Sequence, residues 1–512
     1  MSYKWKIVLV AIAGTFMMMI DATIVNIALP HILAVFNDTI DTMQFITSAY
    51  LMAMAVSAPL ATYLMSKFGV KRIYIGSLAL FLAGSMLCGI AWNTNSLIFF
   101  RIFQGFSSGI LLPLAMTLIF TNVPPEGRGT AMGIFGIPMV LAPAIGVTLG
   151  GYLVEYLDWR WCFYVNVPIM IMAVIISLLW IKDTPKNAAL PLDLKGFIFA
   201  AVGFSSLLYA LSYAPSWGWS DIRTLGLLGV SLISLVIWIV VEFRVKIPLL
   251  DLRVFKFKGF SLGTFLTFIT TLGLYSAMLL LPLFLQSVRG LGAFQAGLLM
   301  IPQALGSMFG TVIGGRVYDR LGPRIPTIVG LILTGYITWQ LSALDVTTPD
   351  STFMILIAFR GVGIGLCMMP VMTFALAEVP VALTSAASTI SNVLRSVFGG
   401  LATAIFASLL SSYEKFNLAT LVQTVTPDSG TTLRVMSTAQ VYFQQAGMSV
   451  QAAHQEAIAL LYQMTALRAY VLAFDKVFII GAIIIFIGVI PALFLYHNGK
   501  VKKKKTETIP ME

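Results

Sequence analysis

Charge is the scarcest property of this chain. Asp, Glu, Lys and Arg make up 10% of its 512 residues, against roughly 25% in soluble domains, and 58% of the residues are hydrophobic. That balance excludes a soluble protein with a large core and leaves a polytopic membrane protein whose aqueous connections are short. Cysteine and histidine are also rare. Cys88, Cys162 and Cys367 lie in or beside apolar runs, far apart, with neither zinc spacing nor the density of a disulfide framework. They read as small buried apolar side chains. His31, His454 and His497 do not cluster, so no metal site is expected. No G-x-x-x-x-G-K-S/T string is present, which removes an ATP-driven cassette from this chain. Neither H-E-x-x-H nor a paired His/Asp set marks a catalytic constellation, so no enzyme activity is expected.

What is abundant is apolar length. Fourteen runs of roughly twenty residues, the length a helix needs to cross hydrocarbon, read as spans. They cover 7–29, 44–66, 72–91, 97–120, 130–153, 162–181, 196–213, 225–242, 260–285, 296–317, 325–344, 353–378, 387–410 and 477–496. The net charge of +11 raises nucleic acid as a partner, but most Lys and Arg sit in the short gaps between runs, which points to the lipid bilayer instead and to no nucleic acid. With the N-terminus placed in the cytoplasm, 22 of the 32 Lys and Arg residues fall in inside gaps and 7 in outside ones. The positive-inside rule therefore puts both termini in the cytoplasm and requires an even number of spans. The lysines from Lys500 to Lys505 form a lipid-facing basic tail over 500–512. One gap, 411–476, is long, polar and expected outside, and its second half, rich in Ala, Gln and Leu, reads as helix.

Two short patterns recur. Lys67-Phe68-Gly69-Val70-Lys71-Arg72 follows the second span, and Asp319-Arg320-Leu321-Gly322-Pro323-Arg324 follows the tenth, with 253 residues between the glycines. Arg101-Ile102-Phe103-Gln104-Gly105 opens the fourth span, and Arg360-Gly361-Val362-Gly363 lies in the twelfth, 259 residues on. Two offsets this close imply two six-helix halves with two spans inserted between them. Halves that meet at a midplane cavity are the architecture of secondary transporters. The domain reading is a first bundle at 1–190, two inserted helices at 191–250, and a second bundle at 251–499 that carries the long outside loop.

Asp21 lies inside the first apolar run. A carboxylate there costs about 2.5–3.5 kcal/mol on insertion scales, so such residues face a protein interior or wet cavity and serve a function. Desolvation favours the neutral form of a carboxyl group and a nearby cation favours the charged form. Arg360 and Arg395 are the other intramembrane cations besides Arg101. Arg360 echoes Arg101, and Arg395 near Asn392 is an anion-binding or a structural group. Charge inside the spans thus leans towards Arg, which favours neutral, anionic or weakly cationic amphipathic substrates. In the fifth span Pro138 and Pro143 remove amide donors, and Gly146, Gly150 and Gly151 allow close helix packing. A kinked, tightly packed helix of this kind is a candidate seal between the halves.

These strings together resemble the fourteen-helix drug:proton antiporter branch of the major facilitator superfamily, the EmrB/QacA-like proteins. Ile20-Asp21-Ala22-Thr23-Ile24-Val25-Asn26-Ile27-Ala28-Leu29-Pro30 is similar to that branch's first-helix signature, and Arg101, Gln104, Gly105 and Gly109 to its fourth-helix motif. Ala142-Pro143 through Gly146 to Gly150-Gly151 resembles its fifth-helix antiporter motif, with Ala142 where Gly is usual. Further strings are Trp159-Arg160-Trp161 with Asn166 and Pro168, and Leu281-Pro282 with Gln286. The gating-loop motif comprises Gly69, Lys71 and Arg72 in the first half and Gly315, Asp319, Arg320, Gly322 and Arg324 in the second. Thr62 and Ser66 stand where the family's first-half motif has Gly and Asp, so the gate interaction is expected to rest mainly on the second half.

The resemblance implies an all-α major facilitator fold in a bacterial cytoplasmic membrane. It also implies proton-coupled export by alternating access, with the proton as coupling ion and no other cofactor. Asp21 and Arg101 are the candidate coupling pair. The substrate cavity is expected at Asp21, Asn26, Gln44, Arg360, Asn392 and Arg395. The family also includes exporters of fatty acids, siderophores and other metabolites, and a sensor on a transporter scaffold is a further alternative. EmrB-like pumps work with membrane-fusion adaptor proteins, and the loop 411–476 is the expected docking element.

Overall fold

The computed structural model describes residues 2–38, 40–182, 192–245, 248–425 and 429–496. The tail 500–512, and with it the lysine run, lies outside the described residues, as do Lys186, Lys246 and His497. Among the described residues every regular element is helical. In chain order the helices are α1 (Tyr3–Phe36), α2 (Ile40–Ser57), α3 (Leu60–Phe68), α4 (Val70–Gly89), α5 (Thr94–Asn122), α6 (Arg128–Tyr156), α7 (Trp161–Tyr164), α8 (Asn166–Trp180) and α9 (Leu194–Trp217). They continue with α10 (Ile222–Arg244), α11 (Lys258–Leu283), α12 (Ala293–Leu321), α13 (Arg324–Gln340), α14 (Asp350–Ala377), α15 (Thr384–Thr424), α16 (Gly430–Gln445), α17 (Val450–Ile487) and α18 (Val489–Ala492).

Among the described residues, thirteen segments are each long and apolar enough to cross a membrane. The pair α2 and α3, bent by 50° between Ser57 and Leu60, makes a fourteenth. Pro59 sits in that break and offers no amide to carry the helix through it. Helix starts follow local chemistry. At α5 the Asn93 side chain accepts from the Ser96 amide at 2.8 Å while the Asn93 amide donates to the Ser96 hydroxyl at 3.1 Å, a reciprocal capping box. Asp193 accepts from the Gly196 amide at 2.9 Å to open α9.

The expected outside loop 411–476 is not a loop. Its described residues form the last third of α15, all of α16 and the first part of α17, with a short turn at 446–449 between the last two. Helices close their own backbone hydrogen bonds, so α15 and α17 run on beyond the apolar stretch that hydropathy detects. They reach 41 and 38 residues, about 60 Å each at 1.5 Å per residue. The extension is held by small buried residues, Ala453, Ala457 and Ala469, and by the Asn417 amide donating to the Ala469 carbonyl at 3.2 Å.

The inserted helices α9 and α10 are a packed pair, and α9 wedges between α2 and α15. Tyr209 meets Phe45 edge-on at 6.4 Å, Leu208 lies against Gly400, and the Trp219 indole donates to the Ser408 hydroxyl at 2.8 Å. The internal repeat is visible in backbone geometry. Gly69 has φ 85°, ψ 150° and Gly322 has φ 83°, ψ −178°, a region that is essentially glycine-only. Gly322→Ala is therefore expected to lower stability by about 1–3 kcal/mol. Gly226→Ala, in helix α10 with open space around it, should be neutral or stabilising by up to about 1 kcal/mol. Thermal unfolding of the two purified variants checks the contrast.

Candidate functional site

Asp21 is fully buried, on α1. Its Oδ2 accepts from Arg101 Nη1 of α5 at 2.6 Å. Its Oδ1 accepts from Gln104 Nε2 at 2.8 Å and from Asn166 Nδ2 of α8 at 2.8 Å. Arg101 Nη1 also donates to Gln104 Oε1 at 2.7 Å. Its guanidinium lies 4.1 Å from the centre of the Tyr50 ring, whose hydroxyl donates to Ser108 at 2.9 Å. Ser85 Oγ of α4 accepts from Asn166 at 2.8 Å and from Gln104 at 3.2 Å, and donates to the Phe163 carbonyl. The ion pair is therefore held by helices α1, α2, α4, α5 and α8 in a polar island without water access. Arg101 Nε and Asn166 Oδ1 are the buried atoms of this cluster without a partner.

Enclosure corrects one expectation. Asp21 does not line an open cavity in this conformation, because three donors and the surrounding helices cover it. Arg360 is likewise enclosed, not cavity-lining. It donates to Thr338 Oγ1 of α13 at 3.0 Å and to the Gly273 carbonyl of α11 at 2.5 Å. This mirrors the first half: Arg360 answers Arg101, Thr338 answers Ser85, and Gly273 stands where the first half has Asp21. A backbone carbonyl replaces the carboxylate, and among the described residues Arg360 has no acid partner. Asn26 is exposed and accepts from Thr47 at 3.2 Å, while the side chain of Gln44 lies outside the described residues. Asn392 and Arg395 sit on α15 where the halves meet. Asn392 Nδ2 approaches Met116 Sδ of α5 at 3.1 Å, and Arg395 Nη1 approaches Met139 Sδ of α6 at 3.9 Å.

Helix α6 carries the close approaches, but the expected seal is divided between two faces. A Cβ on Gly146 would collide with Thr23, and one on Gly150 would press on Ile24, both on α1 within the same half. Pro138 and Ala142 are buried beside them, the Pro143 side chain lies outside the described residues, and Gly151 is half-buried near Phe294. The tight contact between halves is made instead by Gly129, Gly133 and Gly136. A Cβ on any of these would strike Gly315 and Asp319, Thr311, or Met369. At the N-terminus of α6, Asp319 from α12 accepts from the Gly129 amide at 2.8 Å, the Thr130 amide at 2.8 Å and the Thr130 hydroxyl at 2.5 Å. A carboxylate there satisfies orphan amides and meets the positive end of the helix dipole. In the first half Thr62 makes only a hydroxyl contact with Thr389 of α15 at 2.9 Å, and Ser66 is exposed. Lys71 is half-buried, and Arg72, Arg320 and Arg324 are exposed at the same end of the bundle.

The pattern that defines the Major Facilitator Superfamily matches residues 11–403. The chain belongs to this superfamily. An uncharacterized MFS-type transporter of Bacillus subtilis, YhcA, is 33% identical over 99% of this chain and 96% of its own length. The lincomycin resistance protein LmrB of B. subtilis is 29% identical over 83% of this chain and 90% of its own. The multidrug transporter protein MdtP of B. subtilis is 33% identical over 72% and 68%. Among solved structures, the human organic anion transporter MFSD10 has a TM-score of 0.58 at 12% identity, covering 95% of this chain and all of its own. The proton:xylose symporter XylE has a TM-score of 0.57 at 14% identity, covering 94% and 95%. Those two likenesses speak for the fold. The chain is thus a multi-pass superfamily transporter with drug-resistance relatives.

Sequence reasoning placed Asp21 beside Arg101 but missed Ser85, Tyr50 and the role of Asn166. Asn166 carried a signal, being an amide side chain within an apolar span. A buried pair loses about 3–5 kcal/mol when one partner is removed. Arg101→Met should therefore lower thermal stability by that order, and Asp21→Leu combined with Arg101→Met should recover most of it. A melting series on the two proteins checks this.

Proposed function

We propose that the chain is a proton-coupled antiporter that exports amphipathic compounds, with Asp21 as the group that carries the proton. The observation that supports this is the site's composition. Asp21 is the one carboxylate among the described residues held wholly inside the first bundle, and its partner Arg101 cannot give up its own proton. Protonating Asp21 removes the anion but not the cation. Arg101 is then left with Gln104 Oε1 and the Tyr50 ring, and the buried charge favours any rearrangement that rehydrates it.

The packing gives that rearrangement a route. Gly146 of α6 rests against the Ile20 carbonyl and Thr23, on either side of Asp21. The same α6 carries Gly129 and Thr130, which bind Asp319 of the other half. A shift of α1 relative to α5 therefore bears on α6, and through α6 on the contact that closes the end of the bundle carrying the N-terminus. Read with the positive-inside bias, that end is cytoplasmic. The conformation is then closed to the cytoplasm by Asp319, the Thr62–Thr389 contact and the Ser388 hydroxyl donating to the Pro113 carbonyl at 3.0 Å.

Uptake of fluorescent amphipathic dyes into energised inverted vesicles tests the coupling. The wild type should accumulate dye in an uncoupler-sensitive manner, and Asp21→Asn should fall to passive leak at equal membrane yield. Uncoupler-sensitive transport persisting in Asp21→Asn would remove Asp21 as the coupling group. The lock is tested separately. A Thr62→Cys, Thr389→Cys pair should cross-link readily in resting protein, and adding Asp319→Asn should reduce the yield, since that anion at a helix N-terminus contributes up to about 2 kcal/mol.

A further inference from the structure

Three arginines lie within the spans; Arg101 and Arg360 are buried and Arg395 is half-buried. The first two have polar partners, although Arg360 Nη1 is left without one. Arg101 has Asp21, and Arg360 has a backbone carbonyl and a hydroxyl from its own half. Arg395 has neither. The polar atom recorded against its guanidinium is the Met139 sulfur at 3.9 Å, a weak acceptor, and among the described residues no carboxylate lies within salt-bridge range. It stands eleven residues into α15, about 16 Å along the helix, and therefore deep in the membrane. It touches α6 of the first half and shares a small space with Thr267, Thr270, Thr271 and Leu274 of α11 and Met368 and Met372 of α14. One turn earlier, Asn392 leaves its Oδ1 without a partner.

An unpaired guanidinium at that depth is costly, and such charges face a pathway or find a counter-ion. The geometry points to Arg395 as the recognition cation for an acidic group, a carboxylate or sulfonate, on the exported amphipath. The threonine hydroxyls can turn to donate to the same anion. The methionines provide an apolar wall that repacks around differing tails. The space beside Arg395 measures about 10 Å³ here, room for roughly one water, so the acid is accommodated only in conformations in which this space is wider. This inference rests on the export reading above. It adds a consequence: outward movement of a monoanion against inward movement of a proton carries two charges, so export responds to membrane potential as well as to the pH gradient.

The test uses the full chain in nanodiscs and two matched fluorescent probes, 6-(1-pyrenyl)hexanoate and 6-(1-pyrenyl)hexylammonium, with empty nanodiscs as the lipid reference. Wild type should bind the hexanoate about ten-fold more tightly than the ammonium, as expected of a charge-assisted contact. Arg395→Gln should abolish that preference by weakening the hexanoate, while ammonium binding that is retained or strengthened shows that the variant is folded. Arg395→Lys should keep much of the preference. Equal or reversed affinities in wild type, no binding of either probe, or a preference that survives Arg395→Gln would overturn the assignment. The readout is independent of coupling. Asp21→Asn should retain the anion preference, so a failure of the proton reading and a failure of this one give different results.

Discussion

A carboxylate and a guanidinium 2.6 Å apart, with no water access, set the terms for the first half of this molecule. Neither charge is tolerable alone at that depth, and the attraction between them offsets their desolvation only when the remaining lone pairs and protons are also met. The surrounding residues follow from that requirement. Gln104 uses both ends of its amide, donating to Asp21 and accepting from Arg101. Asn166 completes the carboxylate's shell from α8, Ser85 of α4 accepts from Asn166 and Gln104, and the Tyr50 ring covers the guanidinium face. Five helices are thus committed to one pair, and removing its charge by a proton alters the balance in all of them.

The second half shows what the same scaffold does without an acid. Arg360, Thr338 and Gly273 occupy the positions answering Arg101, Ser85 and Asp21, and a peptide carbonyl takes the carboxylate's place. A carbonyl cannot be protonated at any relevant pH, so that cluster tethers α11, α13 and α14 without titrating. The halves are asymmetric at the closing end as well, where Asp319 caps α6 but the answering position is Ser66, exposed to solvent. One half carries the buried carboxylate and the other carries the anion that caps α6. α6, with glycines on both faces, lies between them.

Much of this was legible from the chain alone, for reasons that differ by residue. The spans were legible because hydrocarbon demands length and apolarity, and the repeat because Gly69 and Gly322 occupy backbone geometry that other residues resist. Asp21 and Arg101 stood out because charge is conspicuous in an apolar run. Ser85 and Tyr50 did not, since hydroxyls within helices commonly bond to their own backbone and carry no signal of a distant partner. The helical extension of α15 and α17 was hidden because hydropathy marks where lipid contact ends and not where a helix does. The division of α6 between two neighbours was hidden because a glycine shows that something comes close, not what.

The inventory of buried charge carries the asymmetry one step further. Among the described residues, the spans that meet at the centre hold three arginines, two buried and one half-buried, and one buried carboxylate, which is engaged by three donors. Arg360 is fully buried and donates to a hydroxyl and a carbonyl of its own half, with Nη1 left without a partner. Arg395 is not held in this way, and its neighbours are thioethers and hydroxyls that neutralise nothing. On the reading of Arg395 proposed above, a pathway with that balance attracts anions and repels cations irrespective of tail shape. Selectivity by charge and tolerance of tail then come from different groups, the first from a fixed guanidinium and the second from side chains that repack.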